Sequence, residues 1–397
     1  MVTDQTSPHA KRNLARLFVA DLILRWAYQV GKTPLLPLLA AALGAAEVMT
    51  GLVVAVSTFT GIILKPVFGI LSDRNGRRIW LLLALALFII LPFLYRFVET
   101  PEQLFALRLI HGLATAIFGP VSLSYVADIG NQDRASRLAI FGMARSTAAL
   151  LAPLSAGYIL TYYPIETVFT AIGFLSLIAA FPLLMLSESA ADKPTTKTSL
   201  TSHFGAAIKL SVATPAIWLA GMLELIVYLV TYAVRAFLPL FILSHDGGTI
   251  LQAGLFFSLQ EAANIALRPI GGWFADRKSN GAAIQLGLLL LAVGVSLLTS
   301  LSGWLILISA ILIGFGQAMI LPASLAFLAG ANKPGHLGAG MGFYGALRNV
   351  GKVSGPVIAG ILLTNFDFTV VFTGFAVVVG GAAIIAAISQ RGAVRRN

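Results

Sequence analysis

Four polar side chains recur along the first long apolar stretch of the chain: Asp21, Arg25, Tyr28 and Lys32. Their spacing of i, i+4, i+7 and i+11 puts them on one face of a helix. A second stripe, Glu224, Tyr228, Thr231 and Arg235, repeats the pattern in the other half of the chain. Carboxylates in apolar surroundings can take up and release protons, because desolvation opposes their charge and a nearby cation favours it. Asp21 has Arg25 one turn away, so protonation would break an ion pair; a permanent structural pair is the alternative. Glu224 has Tyr228 one turn away and Glu261 has Asn264 nearby, which makes these two acids the better proton carriers, with a structural ion pair as the alternative for each.

Other charges lie deep in apolar segments. Arg145, Arg348 and Lys352 sit roughly 8–14 residues into theirs, or about 12–21 Å at 1.5 Å per residue. Arginine keeps its proton, and its planar fork suits carboxylates and phosphates. Nine bases within apolar segments (Arg25, Lys32, Lys65, Arg108, Arg145, Arg235, Arg268, Arg348, Lys352) face three acids (Asp21, Glu224, Glu261). An anionic or zwitterionic solute fits that balance better than a cation, which would prefer acids and aromatics. The residues expected to touch it are Arg25, Tyr28, Arg145, Tyr228, Gln260, Asn264, Arg348, Asn349 and Lys352. Several bases have plainer readings. Lys65 and Arg268 can snorkel to one side, Lys32 and Arg235 to the other, and Arg108 can bond the backbone of the first span. His111 reads as a helix-packing hydrogen bonder.

The elements that hold these residues follow from composition. Hydrophobic residues make up 58% of the chain, charged residues 11%, and the mean hydropathy is +0.89. Soluble domains carry roughly a quarter charged residues, so this chain takes lipid as its solvent. Twelve spans read as 14–42, 48–72, 79–97, 103–127, 138–161, 166–187, 213–243, 250–275, 282–300, 303–329, 338–364 and 369–389. The polar, basic start lacks a cleavable signal pattern, so the first span is expected to be retained. The connecting segments alternate in charge. One side collects bases such as Lys11, Arg12, Arg78, Arg134, Arg137, Lys278 and Arg391, while the other has only Arg96 among acids such as Glu47, Glu99 and Glu166. By the positive-inside rule both termini are expected to be cytoplasmic, in an inner membrane. The net charge of +11 therefore sets topology rather than a nucleic-acid partner.

The chain also repeats itself at a shift of 203 residues. Lys65-Pro66 recurs as Arg268-Pro269; Gly69, Asp73 and Arg74 as Gly272, Asp276 and Arg277; Arg145 and Pro153 as Arg348 and Pro356. Asp21 aligns with Glu224 and Lys32 with Arg235. This predicts two six-helix halves, 1–187 and 209–397, joined by a polar cytoplasmic linker at 188–208. Parallel repeats of this kind place a solute site near the bilayer midplane at the repeat interface.

The segment Gly69-Ile-Leu-Ser-Asp73-Arg74-Asn-Gly76-Arg77-Arg78 resembles the G-x-x-x-D-R-x-G-R-R signature of the major facilitator superfamily. Gly272-Trp-Phe-Ala-Asp276-Arg277 is its echo. Arg108 with Gly112 resembles part of a second motif. Ala152-Pro153-Leu-Ser-Ala156-Gly157 resembles the G-P-x-x-G-G motif of the drug:proton antiporters, with alanines at two of its glycines. The resemblance implies an all-α membrane protein, twelve transmembrane helices in two pseudo-symmetric six-helix bundles, functional as a monomer without a cofactor. It implies a gate built from Gly69, Asp73, Arg74, Arg77, Asp128, Asp276 and Arg277. Asp73 is expected to cap the start of the eleventh span near His336–Gly340, and Arg74 or Arg77 to pair with Asp128. Arg108, Pro153, Gly157, Gly355 and Pro356 read as helix-packing positions, those of the fifth and eleventh spans where the halves meet.

The leading expectation is a secondary transporter working by alternating access that exports a small organic molecule, anionic, zwitterionic or amphiphilic, in exchange for protons. Organic-anion uptake or exchange without protons is the second reading, and a non-transporting sensor or scaffold the third. No phosphate-binding G-x-x-x-x-G-K-[ST] stretch is present, and histidines 9, 111, 203, 245 and 336 are too scattered to predict a metal site. No spacing argues for an enzyme.

Overall fold

The computed structural model describes residues 8–129, 134–187, 215–245, 247–331 and 337–394. The linker expected at 188–208 and His336 lie outside the described residues. Every regular element among the described residues is helical. In chain order the first helices are α1 (Pro8–Val30), α2 (Leu35–Ala42), α3 (Glu47–Asn75), α4 (Arg77–Leu94), α5 (Pro101–Asp128), α6 (Arg134–Tyr162), α7 (Ile165–Ile178) and α8 (Ala180–Leu184). After them come α9 (Pro215–Ser244), α10 (Ile250–Arg277), α11 (Asn280–Ser296), α12 (Ile306–Ala331), α13 (Leu337–Leu363) and α14 (Phe368–Val394).

Local chemistry sets several boundaries. The span expected at 14–42 breaks into α1 and α2 around Pro34, whose ring nitrogen has no proton to continue the ladder. Thr100 caps α5 by accepting from the Gln103 amide, and Thr249 with Gln252 forms a full capping box on α10. Gly76, at φ 87°, turns the chain from α3 into α4, a conformation that L side chains adopt at a cost.

Ten helices among the described residues are long and apolar enough to cross a membrane. The two other long helices, α1 and α13, carry charges in mid-helix: Asp21 with Arg25, and Arg348 with Lys352. Phe59, Ile63, Ile90, Val377 and Ile385 are at least half exposed along these helices. Lipid solvates such side chains, whereas water would drive them inward.

The chain divides into two compact units, Met1–Ala45 with Leu52–Thr196, and Ala46–Gly51 with Lys197–Asn397. In the first, α1 packs on α6, and α4 on α5 and α7. Its core is built from Leu17, Leu24, Leu85, Phe88 and Phe118 with their neighbours. In the second, α9 packs on α13, α10 on α12, and α11 on α12 and α14. The pair α1–α6 and the pair α9–α13 are related by the 203-residue shift, so each unit repeats one local packing.

Candidate functional site

In the first unit, α1 turns its polar stripe inward. Asp21 is fully buried and holds Arg25 through both oxygens, with Nε–O distances of 2.8 and 2.7 Å. Arg145 on α6 is exposed and lies within electrostatic range of Asp21. Trp26 donates its indole N–H to Ser155 of α6 at 3.2 Å, tying the two helices together.

Arg108 on α5 is 1% exposed and anchors a second group. Its guanidinium donates to Ser57 at 2.8 Å, to Tyr28 at 3.3 Å and to Tyr95 at 3.4 Å. The Tyr28 ring also lies 5.5 Å from its central carbon. The bond expected from Arg108 to the backbone of the first span is therefore replaced by side-chain hydroxyls. The helix backbone spends its carbonyls on its own ladder, and hydroxyls on three segments remain as acceptors. His111 joins the group through Nδ1 and the Tyr95 hydroxyl, 3.0 Å apart.

The turn after α3 holds the signature residues. Arg77 pairs with Asp73 one turn before it and reaches Asp128 at the end of α5 with its Nε at 3.1 Å. It also donates to Ser72 at 2.8 Å, and the Ser72 hydroxyl donates to the Gly69 carbonyl at 2.8 Å. Arg74 is exposed and makes no ion pair among the described residues. The echo differs: Asp276 is exposed without an ion pair among the described residues, and Arg277 lies over the Trp273 ring at 4.9 Å. In that turn Lys278 stands where the first copy has Asn75, and no basic pair follows it.

The second unit gathers more of the expected residues. Glu224 on α9 is 1% exposed, and the Tyr344 hydroxyl of α13 donates to its Oε1. Its Oε2 is buried with no hydrogen-bond partner among the described residues. Arg348 and Lys352, also on α13, lie within electrostatic range of this carboxylate. Arg348 stacks over Tyr228 at 5.7 Å; the Lys352 ammonium lies 4.8 Å from the Tyr228 ring and 5.6 Å from Tyr232. Along its own helix Glu224 has a tyrosine, not a cation, one turn away. The packing of α13 on α9 supplies two cations.

A second acid completes this region. Glu261 on α10 faces Arg235 of α9 at 3.5 Å and accepts from Asn264 at 3.4 Å. Arg235 thus turns toward an acid instead of snorkelling outward, since a paired charge is cheaper in apolar surroundings than a strained reach to water. Arg268 donates to Asn264 at 3.4 Å rather than simply extending to the surface. Gln260 donates to Gln317 at 3.2 Å, and Gln317 donates to Thr231 at 3.1 Å. Asn349 is half-buried and makes no hydrogen bond among the described residues.

Small residues set how closely α9 and α13 approach. A Cβ on Gly351 would overlap the Leu225 carbonyl oxygen, and one on Gly355 the Leu229 carbonyl oxygen. Gly355 thus packs closely against α9. Pro356, Pro153 and Gly157 are buried within α13 and α6. A hollow of about 520 Å³ lined by Arg96, Pro164, Glu166, Thr167 and Thr170 contains none of the expected solute-binding residues.

Three members are not among the residues expected from the sequence: Tyr344, Tyr95 and Ser57. Tyr344 had a signal, since 344, 348 and 352 are four apart and form one stripe on α13. Tyr95 and Ser57 had none, because each is reached from another helix.

The Major Facilitator Superfamily model matches residues 29–302 and 222–393. Multidrug resistance protein 1 of Bacillus subtilis is 25% identical over 347 residues, covering 80% of this chain and 82% of that protein. Multidrug resistance protein MdtG of Enterobacter lignolyticus is 25% identical over 394 residues, covering 96% and 93%. The crystal structure of the nucleoside transporter NupG superposes with a TM-score of 0.82 at 15% identity, covering 95% of this chain and 98% of NupG, a likeness of fold alone. A chain with membrane-length apolar helices, an ion pair between two of them and a family match across nearly its whole length is a multi-pass membrane protein, and it belongs to the major facilitator superfamily of transporters.

Proposed function

We propose that this chain is a proton-coupled secondary transporter of a small organic molecule. It works by alternating access, as a monomer with twelve spans in two six-helix halves, 1–187 and 209–397, joined by the linker 188–208. Both termini are cytoplasmic and the membrane is the inner one. The observation that carries the reading is Glu224, a carboxylate 1% exposed in the middle of α9 with two bases and a tyrosine from α13 beside it. An ionisable group is expensive inside a membrane helix, where desolvation favours a carboxylate's neutral form and nearby bases favour its charged form. Glu261, paired with Arg235, is a second proton carrier. Asp21 is held through both oxygens by Arg25, which favours its structural reading over the coupling one.

Arg77, bridging Asp73 and Asp128, acts as the gate's fixed element. Outward movement of the solute is favoured by relatives named multidrug resistance proteins. Inward movement of an organic anion is the second reading, and the pair Arg348 and Lys352 beside Tyr228 favours it.

The test is solute-triggered proton flux into proteoliposomes that enclose a pH dye. Flux lost in Glu224→Gln supports coupling through this acid. Solute movement that proceeds without protons in wild type, and is lost in Arg348→Ala, overturns it.

A further inference from the structure

Two bases and one acid meet on the α9–α13 face, and their exposures differ. Glu224 is 1% exposed; Arg348 and Lys352 are half-buried. Tyr344 occupies one oxygen of Glu224, and the other is buried without a partner among the described residues. A proton fits such a place, and a solute-sized group has no surface to touch. The bases present guanidinium and ammonium groups against the faces of Tyr228 and Tyr232, a wall suited to an apolar or aromatic body with an anionic group at one end. The other acid of the region, Glu261, faces Arg235 at 3.5 Å. The titratable and charged groups that face Glu224 are Tyr228 on α9 and Tyr344, Arg348 and Lys352 on α13. Among the described residues, α10, α12 and α14, which also pack on α9, bring no further charge to it.

We infer that this cluster binds an organic anion and a proton together, the anion on Arg348 and Lys352 and the proton on Glu224, so that both cross in the same direction. The sign follows from charge. An ionised Glu224 draws on the same two bases as the anion and repels it. When a proton bonds to a Glu224 carboxylate oxygen, the charge there goes from minus one to zero and both bases turn to the anion. Exchange of solute against proton would need a solute that competes with the proton at Glu224, and its burial closes it to one. The inference rests on Glu224 as the proton carrier. It also selects the anion-carrying reading and makes protons its partner.

The test is binding to purified wild-type protein in detergent, by calorimetry at pH 5.5 and 7.5 in two buffers of different ionisation enthalpy. The probes are benzenesulfonate and phenylphosphonate, with benzamide and benzylammonium as neutral and cationic counterparts. The expected result is anion binding that tightens at least about fivefold at the lower pH, with proton uptake. Glu224→Gln should bind the anions as tightly at both pH values and take up no proton. Lys352→Met and Arg348→Ala, checked for a single monodisperse peak, should each weaken binding. Anion binding that ignores pH and takes up no proton removes Glu224 as the carrier, and the inference with it. Anion binding that weakens in acid leaves Glu224 in its role and overturns the shared direction. Binding of benzylammonium alone, or of no anion, overturns the anion site itself.

Discussion

The Tyr344 hydroxyl on α13 donates to Glu224 Oε1 on α9, two residues 120 apart in sequence. That bond joins the two helices at a buried acid that has both a hydroxyl donor and bases beside it. Tyr344→Phe removes the donor and leaves a buried carboxylate oxygen unsatisfied, at a cost of about 1–3 kcal/mol. The check is reversible denaturation in mixed micelles. A stability equal to wild type would mean that the hydroxyl does not serve Glu224.

Asp21 and Arg25 form the counterpart in the first unit, but on a single helix. Asp21→Asn strands the guanidinium and should cost about 3–5 kcal/mol, as breaking a buried pair does. The double variant Asp21→Asn/Arg25→Met should recover most of that loss. A double-mutant cycle read by the same denaturation measures it, and failure of the second change to rescue would mark Asp21 as more than a structural partner.

Arg77 engages Asp73, Asp128 and Ser72 with one planar fork. A lysine keeps the charge and loses that geometry. Arg77→Lys should lower solute-dependent proton flux in proteoliposomes by about tenfold, a loss of about 1.4 kcal/mol. It should leave the melting midpoint close to wild type, because Asp73 is exposed and exposed pairs contribute little to stability. Full flux in this variant would reduce the turn to ordinary surface charge.

Gly355 lets α13 close onto the Leu229 carbonyl. Gly355→Val should force the helices apart, costing about 1–3 kcal/mol and pulling Tyr344 from Glu224. Gly342→Ala is the control, since nothing lies within 4 Å of the Cβ it would add. Thermal midpoints for the two variants should separate, and equal midpoints would mean that α9 and α13 yield freely.

Arg108 sits among hydroxyls and an aromatic face, with no carboxylate among its hydrogen-bond partners in the described residues. Ser57→Ala deletes its shortest bond, 2.8 Å, and should destabilise the first unit by about 1–3 kcal/mol. An unaltered denaturation curve would show that the remaining tyrosines suffice.

The residues that carry charge into apolar segments were legible from the sequence, and so were the helices that bear them. Hydropathy, proline and capping residues act within a few positions of one another, so they leave a local trace. The stripes on α1 and α9 have the same origin: spacing along one helix fixes which side chains share a face, as Asp21 with Arg25 illustrates. The 203-residue repeat told which helices correspond.

Which charges meet across helices was decided only by tertiary packing. Glu224 gained Tyr344, Arg348 and Lys352 because glycines on α13 admit the α9 backbone, and Arg235 turned to Glu261 because α10 lies beside it. The aligned acids Asp21 and Glu224 therefore have different partners: one draws its cation from its own turn, the other from a neighbouring helix. Sequence spacing reports the first kind of contact. The second depends on helix separation and rotation, set by the summed fit of many side chains, and no single position in the chain encodes it.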